Sequence, residues 1–201
     1  MSKISAGRGN QIICQCPFDT AIFKDFDKMF IKNDTITLRP AEPADAEQIF
    51  LWENDRDNWR VSGTHAPYSR FQIEQFLLGD NDLQAQRQLR LMIDLTDNGQ
   101  TIGCIDVFDY DAINQRAGLG ILIDKGQRQL GYAKATLALC IDYLFNDLLL
   151  HQVYCSIDET NTESQHLFES QGFALCGRKK DWINTPKGYL DVLEYQRINR
   201  N

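Results

Sequence analysis

Hydrophobic and polar residues alternate in several short segments of this chain, a pattern typical of β-strands. The pattern predicts strands over residues 35–38, 89–95, 101–110, 117–124 and 152–157, and a final pair over 173–177 and 189–195. Asp97-Asn98-Gly99-Gln100, between the second and third of these strands, is a hairpin turn signal. A loop that holds Trp182 and Gly188 is predicted to join the final pair.

Other segments place apolar residues at helical spacing. One helix is predicted to open at Ala44 and a second to be capped by Ser69, with residues 54–68 as a loop between them. A third helix follows the strand at 117–124, and a short fourth one ends at Gly172. Strands in a meander, then strand–helix–strand–helix, then a hairpin predict an α/β fold in which helices cover both faces of a mixed sheet.

The length of 201 residues and the 43% hydrophobic content suit one compact domain. Residues 1–33 carry few periodic signals, so we expect an N-terminal extension of unknown role before a domain over 34–201. No apolar run approaches the ~20 residues of a membrane span, and the first thirty residues lack the apolar region of a secretory signal. We therefore expect a soluble protein of the cytoplasm with no membrane partner.

The formal net charge of −7 disfavours nucleic acid as a partner. It suits either a cationic partner, such as a polyamine or a basic peptide, or simple solubility. Four of the six cysteines lie in predicted strands or helices among apolar neighbours, where a free thiol behaves as a small hydrophobic group. The three histidines lack the spacing of metal ligands, and Cys14 and Cys16 are too close for a zinc pair, so no metal site is predicted.

The strand at 117–124 leads through a glycine-containing turn into the third helix. Unpaired N–H groups and the positive end of the dipole make such a helix N-terminus a site for phosphate. A P-loop is excluded because Tyr132 and Ala133 follow Gly131, and a dinucleotide fingerprint is excluded because Gly118 and Gly120 lie in the strand. What remains is a match to R/Q-x-x-G-x-G/A at Arg128-Gln129-Leu130-Gly131-Tyr132-Ala133.

A second motif begins at Asn161, 30 residues after Gly131. It fits N-x-x-S-x-x-L-Y-E-x-x-G-F at Asn161, Ser164, Leu167, Glu169, Gly172 and Phe173. The two motifs resemble, in order and separation, the signatures of the GNAT superfamily of N-acetyltransferases. Leu38-Arg39-Pro40 is similar to the opening of that family, and residues before Thr35 lie outside the resemblance.

The resemblance implies the GNAT fold, a mixed and mostly antiparallel sheet that splays open where the co-substrate acetyl-CoA binds. The pantetheine arm would bind backbone groups of Ile121, Leu122 and Ile123 in that opening, as an added strand would. Asn161 would bind the CoA arm through its amide, and Phe168 would lie against it. The pyrophosphate would be held by backbone N–H groups in the turn and the first helical residues, namely Arg128, Gln129, Leu130, Gly131, Tyr132, Ala133 and Lys134.

The family's usual proton-handling side chains are replaced in this sequence. The tyrosine that serves relatives as general acid corresponds to Phe168, and the glutamate of the preceding strand corresponds to Gly118. Three explanations stay open: water protonates the thiolate, whose ordinary pKa is ~8.5; another side chain does so; or the protein binds acyl-CoA without catalysis. The candidates for another side chain are Tyr132, Tyr154 and His166.

Residues 101–145 most resemble bacterial spermidine N-acetyltransferases, in which glutamates stand at the positions of Asp106 and Asp109. Because these positions differ by three, the two side chains face opposite sides of a strand unless a bulge intervenes. A solvated strand face would explain them equally well. Further acceptor candidates lie in the loop at 54–68 and just before it, namely Glu53, Asp55, Asp57 and Tyr68.

Together these resemblances imply an acetyl-CoA-dependent N-acetyltransferase that acts on a primary amine of a small polycation such as spermidine. One alternative is the α-amine of a protein or peptide, because ribosomal-protein acetyltransferases share L-R-P and both signatures. The other is a non-catalytic acyl-CoA sensor, which Phe168 and Gly118 would permit. Relatives often form homo-oligomers, but the sequence does not give the oligomeric state.

Overall fold

A computed structural model describes residues 31–62, 64–79 and 83–200. The strands are β1 (Ile31–Lys32), β2 (Ile36–Pro40), β3 (Leu89–Leu95), β4 (Thr101–Asp111), β5 (Arg116–Ile123), β6 (Gln152–Asp158), β7 (Ala174–Thr185) and β8 (Gly188–Ile198). They form one open sheet in the order β1-β2-β3-β4-β5-β6-β8-β7. Among these pairs β5–β6 is parallel and the others are antiparallel, as the predicted mixed, mostly antiparallel sheet requires.

The helices of the described residues are α1 (Ala46–Asn54), α2 (Arg56–Ser62), α3 (Arg70–Leu78), α4 (Leu83–Gln86), α5 (Tyr132–Asn146) and α6 (Thr162–Ser170). The predicted cap of α3 is confirmed, because the Ser69 hydroxyl accepts a hydrogen bond from the Gln72 N–H at 3.2 Å. The Gln72 side chain in turn accepts from the Ser69 N–H at 2.8 Å. This reciprocal arrangement satisfies two backbone donors and fixes where α3 begins.

Two predicted loops are wrong. Residues 54–68 contain α2, which begins where the Asp55 carboxylate accepts a hydrogen bond from the Asp57 N–H at 3.1 Å. The loop expected around Trp182 is a strand, because β7 continues to Thr185 and leaves two residues before β8. In both places local hydrogen bonds or pairing with a neighbouring strand supply the order that the apolar pattern does not show.

Helices cover both faces of the sheet, as predicted. On one face α5 buries Leu137, Ile141 and Leu144 against the strands, within the larger apolar cluster. On the other face α1 and α3 bury Ile49 and Ile73 in a smaller cluster with side chains of β3 and β4. The sheet therefore has two cores: the larger one extends from β2 to β8 on one face, and the smaller one lies on the other face of the N-terminal half.

The cysteines of the described part are free thiols, and Cys104, Cys140 and Cys155 are buried. Burial raises the pKa of Cys104 and of Cys140 to about 12, so both stay protonated and act as small apolar groups. Cys14 and Cys16 lie outside the described residues.

The sheet opens between β5 and β6. The two strands pair only over Arg116–Gly118 and Gln152–Tyr154, although β5 continues to Ile123 and β6 to Asp158. Beyond Gly118 the edge of β5 that faces β6 therefore presents backbone N–H and C=O groups without a strand partner. This confirms the predicted splay and leaves a slot between the two strands, lined on one side by the free edge of β5.

Arg39, at the end of β2, joins three parts of the N-terminal half. Its Nε donates to Asp94 Oδ2 at 2.7 Å, and its two terminal nitrogens donate to the two oxygens of Asp45 at 2.8 Å each. Asp94 also accepts from the Thr101 hydroxyl at 2.7 Å. The arginine of the L-R-P motif is thus a structural link between β2, β3 and the turn before α1.

Stability is expected to fall at acid pH through Asp45. Burial alone would raise the pKa of Asp45, but hydrogen bonds from Arg39 and from the Glu42 N–H outweigh it and lower the pKa below the usual 3.8. As the pH falls, the Asp45 carboxylate is therefore protonated in the unfolded chain before it is protonated in the folded protein. Its contribution to the free energy of unfolding is complete above the usual pKa of 3.8 and is lost as the pH falls through the folded pKa. Urea unfolding across the acid range should show a weaker pH dependence in Asp45→Asn than in the wild type, and equal slopes would contradict this assignment.

Candidate active site

The turn between β5 and α5 has the geometry of a phosphate-binding loop. Gly131 is the N-cap of α5 with φ of +84°, and Gln129 also has a left-handed backbone, with φ of +62°. No side chain caps the helix, so the N–H groups of Tyr132, Ala133 and Lys134 are open to a ligand. The positive end of the helix dipole and these free N–H donors lie at the same place, so the site favours an anion.

Side chains from α1 and α2 hold this turn in place. Trp52 Nε1 donates to Asp124 Oδ2 at 3.0 Å, and Arg128 donates to Asn58 Oδ1 at 3.2 Å and to the Ile123 carbonyl at 2.9 Å. The hydrogen bond from Trp52 lowers the pKa of Asp124, with help from the Gly126 N–H. The structure thus joins the turn to the end of β5 and to the helices before it.

Lys125 adds an ion pair to the same junction. Its ammonium lies 2.7 Å from Asp55 Oδ2 and 2.7 Å from Asp57 Oδ2. The hydrogen bond from Lys125 lowers the pKa of Asp55, and these two aspartates raise the pKa of Lys125 in return. Two of the predicted acceptor carboxylates are therefore already neutralised by a lysine of this chain.

The second motif forms a capped helix. Asn161 is the N-cap of α6, and its side-chain oxygen accepts from the Ser164 N–H at 3.2 Å. This leaves the amide nitrogen directed to no acceptor among the described residues. Phe168 is 3% exposed, and its ring packs edge to face on Phe173 with 5.0 Å between centroids. Phe168 therefore contributes to the core at the position where relatives carry a tyrosine.

Gly118 has no side chain because Phe108 occupies the space in front of it. A Cβ at Gly118 would lie 2.2 Å from the Phe108 ring, closer than any real contact. The Phe108 ring also packs edge to face on Tyr154, with 6.0 Å between centroids. A glutamate at position 118 would displace this ring, so the missing side chain at Gly118 is sterically linked to Phe108.

The three candidates for an alternative proton donor have different surroundings. Tyr132 is half-buried at the start of α5 and packs against the larger core, and His166 is exposed on α6. The Tyr154 hydroxyl donates to Asp109 Oδ2 at 3.1 Å. Burial, together with this carboxylate, raises the pKa of Tyr154 to about 12. Of the three, Tyr154 is the one in contact with an ionisable group.

Two further acceptor candidates are bound to Arg90. The guanidinium donates to both oxygens of Asp106, at 2.7 and 2.9 Å, and to Glu53 Oε1 at 2.7 Å. Tyr68 is exposed, and its backbone is held by both polar atoms of the Asn54 side chain. Glu53 and Asp106 therefore form a structural ion-pair network at this end of the sheet.

Asp109 differs from the other acidic candidates because it lies on a bulge. The register of β4 against β5 shifts between Phe108 and Asp111, and Asp109 has a left-handed backbone with φ of +50°. The sequence allowed for a bulge but did not predict one. Bulges of this kind redirect a side chain, and here the carboxylate meets Tyr154 on β6.

Asp109 and Tyr154 line a cavity of about 560 Å³. Its other walls come from β6, from the β7–β8 hairpin and from two arginines, and include Arg87, Arg116, Gln152, Glu194 and Gln196. None of these five was predicted. The alternation of polar residues at 152, 154 and 156 and at 194 and 196 marks a polar sheet face that contains three of the five, since a buried face would carry apolar ones. It does not indicate Arg87 or Arg116, nor that the two strands lie side by side.

Comparison with known proteins places the chain in a family. The model of an acetyltransferase (GNAT) domain matches residues 35–174, more than half of the chain. The chain belongs to the GNAT acetyltransferase family and is an acyltransferase that uses acetyl-CoA as co-substrate. The alternative of a non-catalytic sensor has no support from this match.

Two named relatives agree with this assignment. Spermidine N(1)-acetyltransferase of Escherichia coli K12 is 25% identical over 143 residues, 71% of this chain and 75% of that protein. A Bacillus subtilis protein named as a ribosomal N-acetyltransferase, YdaF, is 25% identical over 171 residues, 84% of this chain and 93% of its own.

Two solved structures of the Vibrio cholerae spermidine N-acetyltransferase share the fold. The complex with CoA and spermine has a TM-score of 0.73 at 24% identity, over 83% of this chain and 96% of that one. A structure described as dodecameric has a TM-score of 0.70 at 24% identity, over 83% of this chain and 95% of that one.

In the described residues of the present chain, no helix has the length and apolarity to span a membrane. No cluster of three or more His, Cys, Asp or Glu suited to a metal ion lies within those residues.

Proposed function

We propose that this enzyme transfers the acetyl group of acetyl-CoA to a primary amine of a small polycation such as spermidine. The observation that carries the proposal is the slot between β5 and β6, which has a phosphate-binding helix end at one side and the Tyr154–Asp109 pair at its closed end. The named spermidine enzymes among the relatives, and the neighbour bound to CoA and spermine, support the choice of acceptor.

In this proposal the chain's backbone binds the donor. Ile121, Leu122 and Ile123 offer the free edge of β5 to the pantetheine arm, and the N–H groups at 128–134 hold the pyrophosphate. The unused amide nitrogen of Asn161 would donate to the CoA arm. Binding by backbone edge and helix end leaves the side-chain face of the slot open to the acceptor.

The reaction itself needs one proton removed and one returned. The neutral amine nitrogen attacks the thioester carbon, the C–N bond forms, the C–S bond breaks, and the amine proton leaves while the thiolate gains one. An ordinary thiol has a pKa of ~8.5, so water can protonate this leaving group without a side-chain acid. With phenylalanine at 168 and glycine at 118, the protein's contribution would be orientation of the two reactants.

A second candidate acceptor is the α-amine of a protein or peptide. The cavity carries Arg87 and Arg116 beside Asp109 and Glu194, a mixture of charges that suits an acceptor with both an amine and a carboxylate. A relative named as a ribosomal N-acetyltransferase supports this candidate. The named spermidine relatives favour the polyamine as the first choice.

The remaining features of the proposal concern assembly and location. A homo-oligomer is proposed because a V. cholerae neighbour of the same fold is described as dodecameric. The cytoplasm is the proposed location, since the described cysteines are free thiols and disulfides are rare in that compartment.

Release of CoA thiol from acetyl-CoA tests the function. The thiol is followed continuously while spermidine, spermine and a panel of N-terminal peptides are offered in turn. Saturable release with the polyamines and little with the peptides is expected. Saturable release with peptides alone would favour the α-amine of a protein or peptide as the acceptor instead of a polyamine. No thiol release with any of the amines would overturn the proposed transfer.

Phe168→Tyr is expected to raise turnover about tenfold, equivalent to ~1.4 kcal/mol of barrier. The reason is that a hydroxyl at this position would supply the acid that relatives place there. The matched control is Phe173→Tyr, which adds a hydroxyl to the other ring of the same buried pair and should leave kcat unchanged. An active enzyme whose kcat is the same in both variants would show that the acid is not limiting.

A further inference from the structure

We propose that the acceptor enters through the cavity beside β6, where Asp109 holds its ammonium group and Tyr154 positions Asp109. This inference rests on the proposed function and assigns its acceptor site. It also separates that site from Glu53, Asp55, Asp57 and Asp106, the residues that the sequence placed together with Asp109. Three observations carry it: the place of the cavity, the charge of its walls and the shape of β4.

The cavity lies at the closed end of the slot. Tyr154 is opposite Gly118, and this is the last residue pair before β5 and β6 separate. Phe108 packs on Gly118 and on Tyr154, and so forms an apolar wall at the same point. A ligand held in the slot and a ligand held in the cavity would therefore meet beside Tyr154.

Among the acidic candidates, Asp109 is the one that keeps its charge available. Asp106 and Glu53 bind Arg90, and Asp55 and Asp57 bind Lys125. Within the ranges that the structure describes, no Lys, Arg or His lies within ion-pair distance of Asp109. Asp109 is exposed on the wall of the cavity, and a carboxylate without a cationic partner there attracts a ligand ammonium.

The other charged walls of the cavity already have partners. Arg116 lies 3.3 Å from Asp111, and Arg87 donates to the Tyr110 carbonyl at 3.0 Å. Glu194 accepts from the Ser156 hydroxyl at 2.9 Å and pairs with Lys179 at 2.7 Å. Of the charged side chains that line the cavity, Asp109 is thus the one that is stabilised most by a bound cation.

The bulge in β4 puts the carboxylate in this place. A left-handed backbone is unfavourable for residues other than glycine, and aspartate and asparagine tolerate it best. Strained positions of this kind concentrate at functional sites. The Tyr154 hydroxyl binds Oδ2 of Asp109, and Oδ1 is left for the acceptor. Tyr154 stays protonated through the working range, because its pKa is raised to about 12, and so remains a donor to Asp109.

Asp109→Asn tests the inference, because asparagine fits the same backbone and removes only the charge. Steady-state kinetics with spermidine should show kcat/KM reduced about 100-fold, which is ~2.7 kcal/mol at 1.36 kcal/mol per tenfold change. The dissociation constant of acetyl-CoA should stay within about twofold of the wild type, since the donor binds to the backbone of β5. Tyr154→Phe should raise KM several-fold with little change in kcat, as a positioning residue would.

Asp181→Asn is the matched control. Asp181 is exposed in β7 with φ of +51°. The substitution therefore makes the same chemical change in a similar backbone conformation, away from the cavity. It should leave kcat/KM for spermidine unchanged. If Asp109→Asn keeps kcat/KM for spermidine within about threefold of the wild type, the proposed acceptor site is overturned but the proposed function is not. A wild type that binds acetyl-CoA but does not acetylate spermidine would overturn the proposed acceptor, and this site with it.

Discussion

Gly131→Val is expected to weaken acetyl-CoA binding at least 100-fold while the protein stays folded. The N–H groups that follow Gly131 form the open end of α5, and an isopropyl group at the N-cap would stand where the pyrophosphate must approach. No atom lies within 4 Å of a Cβ at this position, so an added Cβ causes no clash in the free protein. Its cost to the fold is the left-handed backbone, about 1–2 kcal/mol. Titration calorimetry with acetyl-CoA measures the loss.

Gly99→Val separates backbone strain from obstruction of the ligand. Gly99 lies in the β3–β4 hairpin with φ of +69°, and again no atom lies within 4 Å of an added Cβ. The two variants should lose similar amounts of stability in urea unfolding, but Gly99→Val should bind acetyl-CoA as the wild type does. Micromolar binding retained in Gly131→Val would refute the pyrophosphate site.

Arg39→Met is expected to lower the free energy of unfolding by roughly 3 kcal/mol, the low end of the range for a broken buried ion pair. The substitution leaves the carboxylates of Asp45 and Asp94 without their cation while they remain 10% and 12% exposed. The low end applies because the Arg39 side chain is itself 22% exposed. For a chain of this size the melting temperature should fall by about 6–12 °C.

Arg70→Met provides the comparison for this loss. Arg70 pairs with Glu47 on the surface, where both side chains are more than half exposed. Exposed pairs contribute about 0–1 kcal/mol, so this variant should unfold close to the wild type. Equal melting temperatures for the two variants would show that the network around Arg39 is not a structural link.

Local sequence patterns predicted the helix ends at Gly131 and Asn161 well. The stripe of α5 and the glycine before it lie within one stretch of chain, and the helix end they form depends on little else. The same holds for the Asn161 cap and for Ser69. Each of these features is decided by residues that are neighbours in sequence, so periodicity and capping rules suffice.

The cavity proposed for the acceptor could not be predicted from local patterns. No glycine in the sequence indicates the bulge at Asp109, and its hydrogen-bond partner Tyr154 lies 45 residues away on β6. The pairing of Asp106 with Arg90 depends on the register of β3 against β4. Glu194 reaches the cavity because β8 lies beside β6, which no local pattern indicates. Long-range strand pairing decides which charges are neutralised and which remain available.

The central claim is acetyl transfer from acetyl-CoA to an amine of a polycation, and mass spectrometry of the products tests it most directly. Wild-type enzyme is incubated with acetyl-CoA and spermidine, and both the amine and the released CoA are quantified. Monoacetylated spermidine formed in equal amount with free CoA is the predicted result. CoA released without acetylated amine, or acetyl-CoA left intact beside unmodified spermidine, would contradict the account.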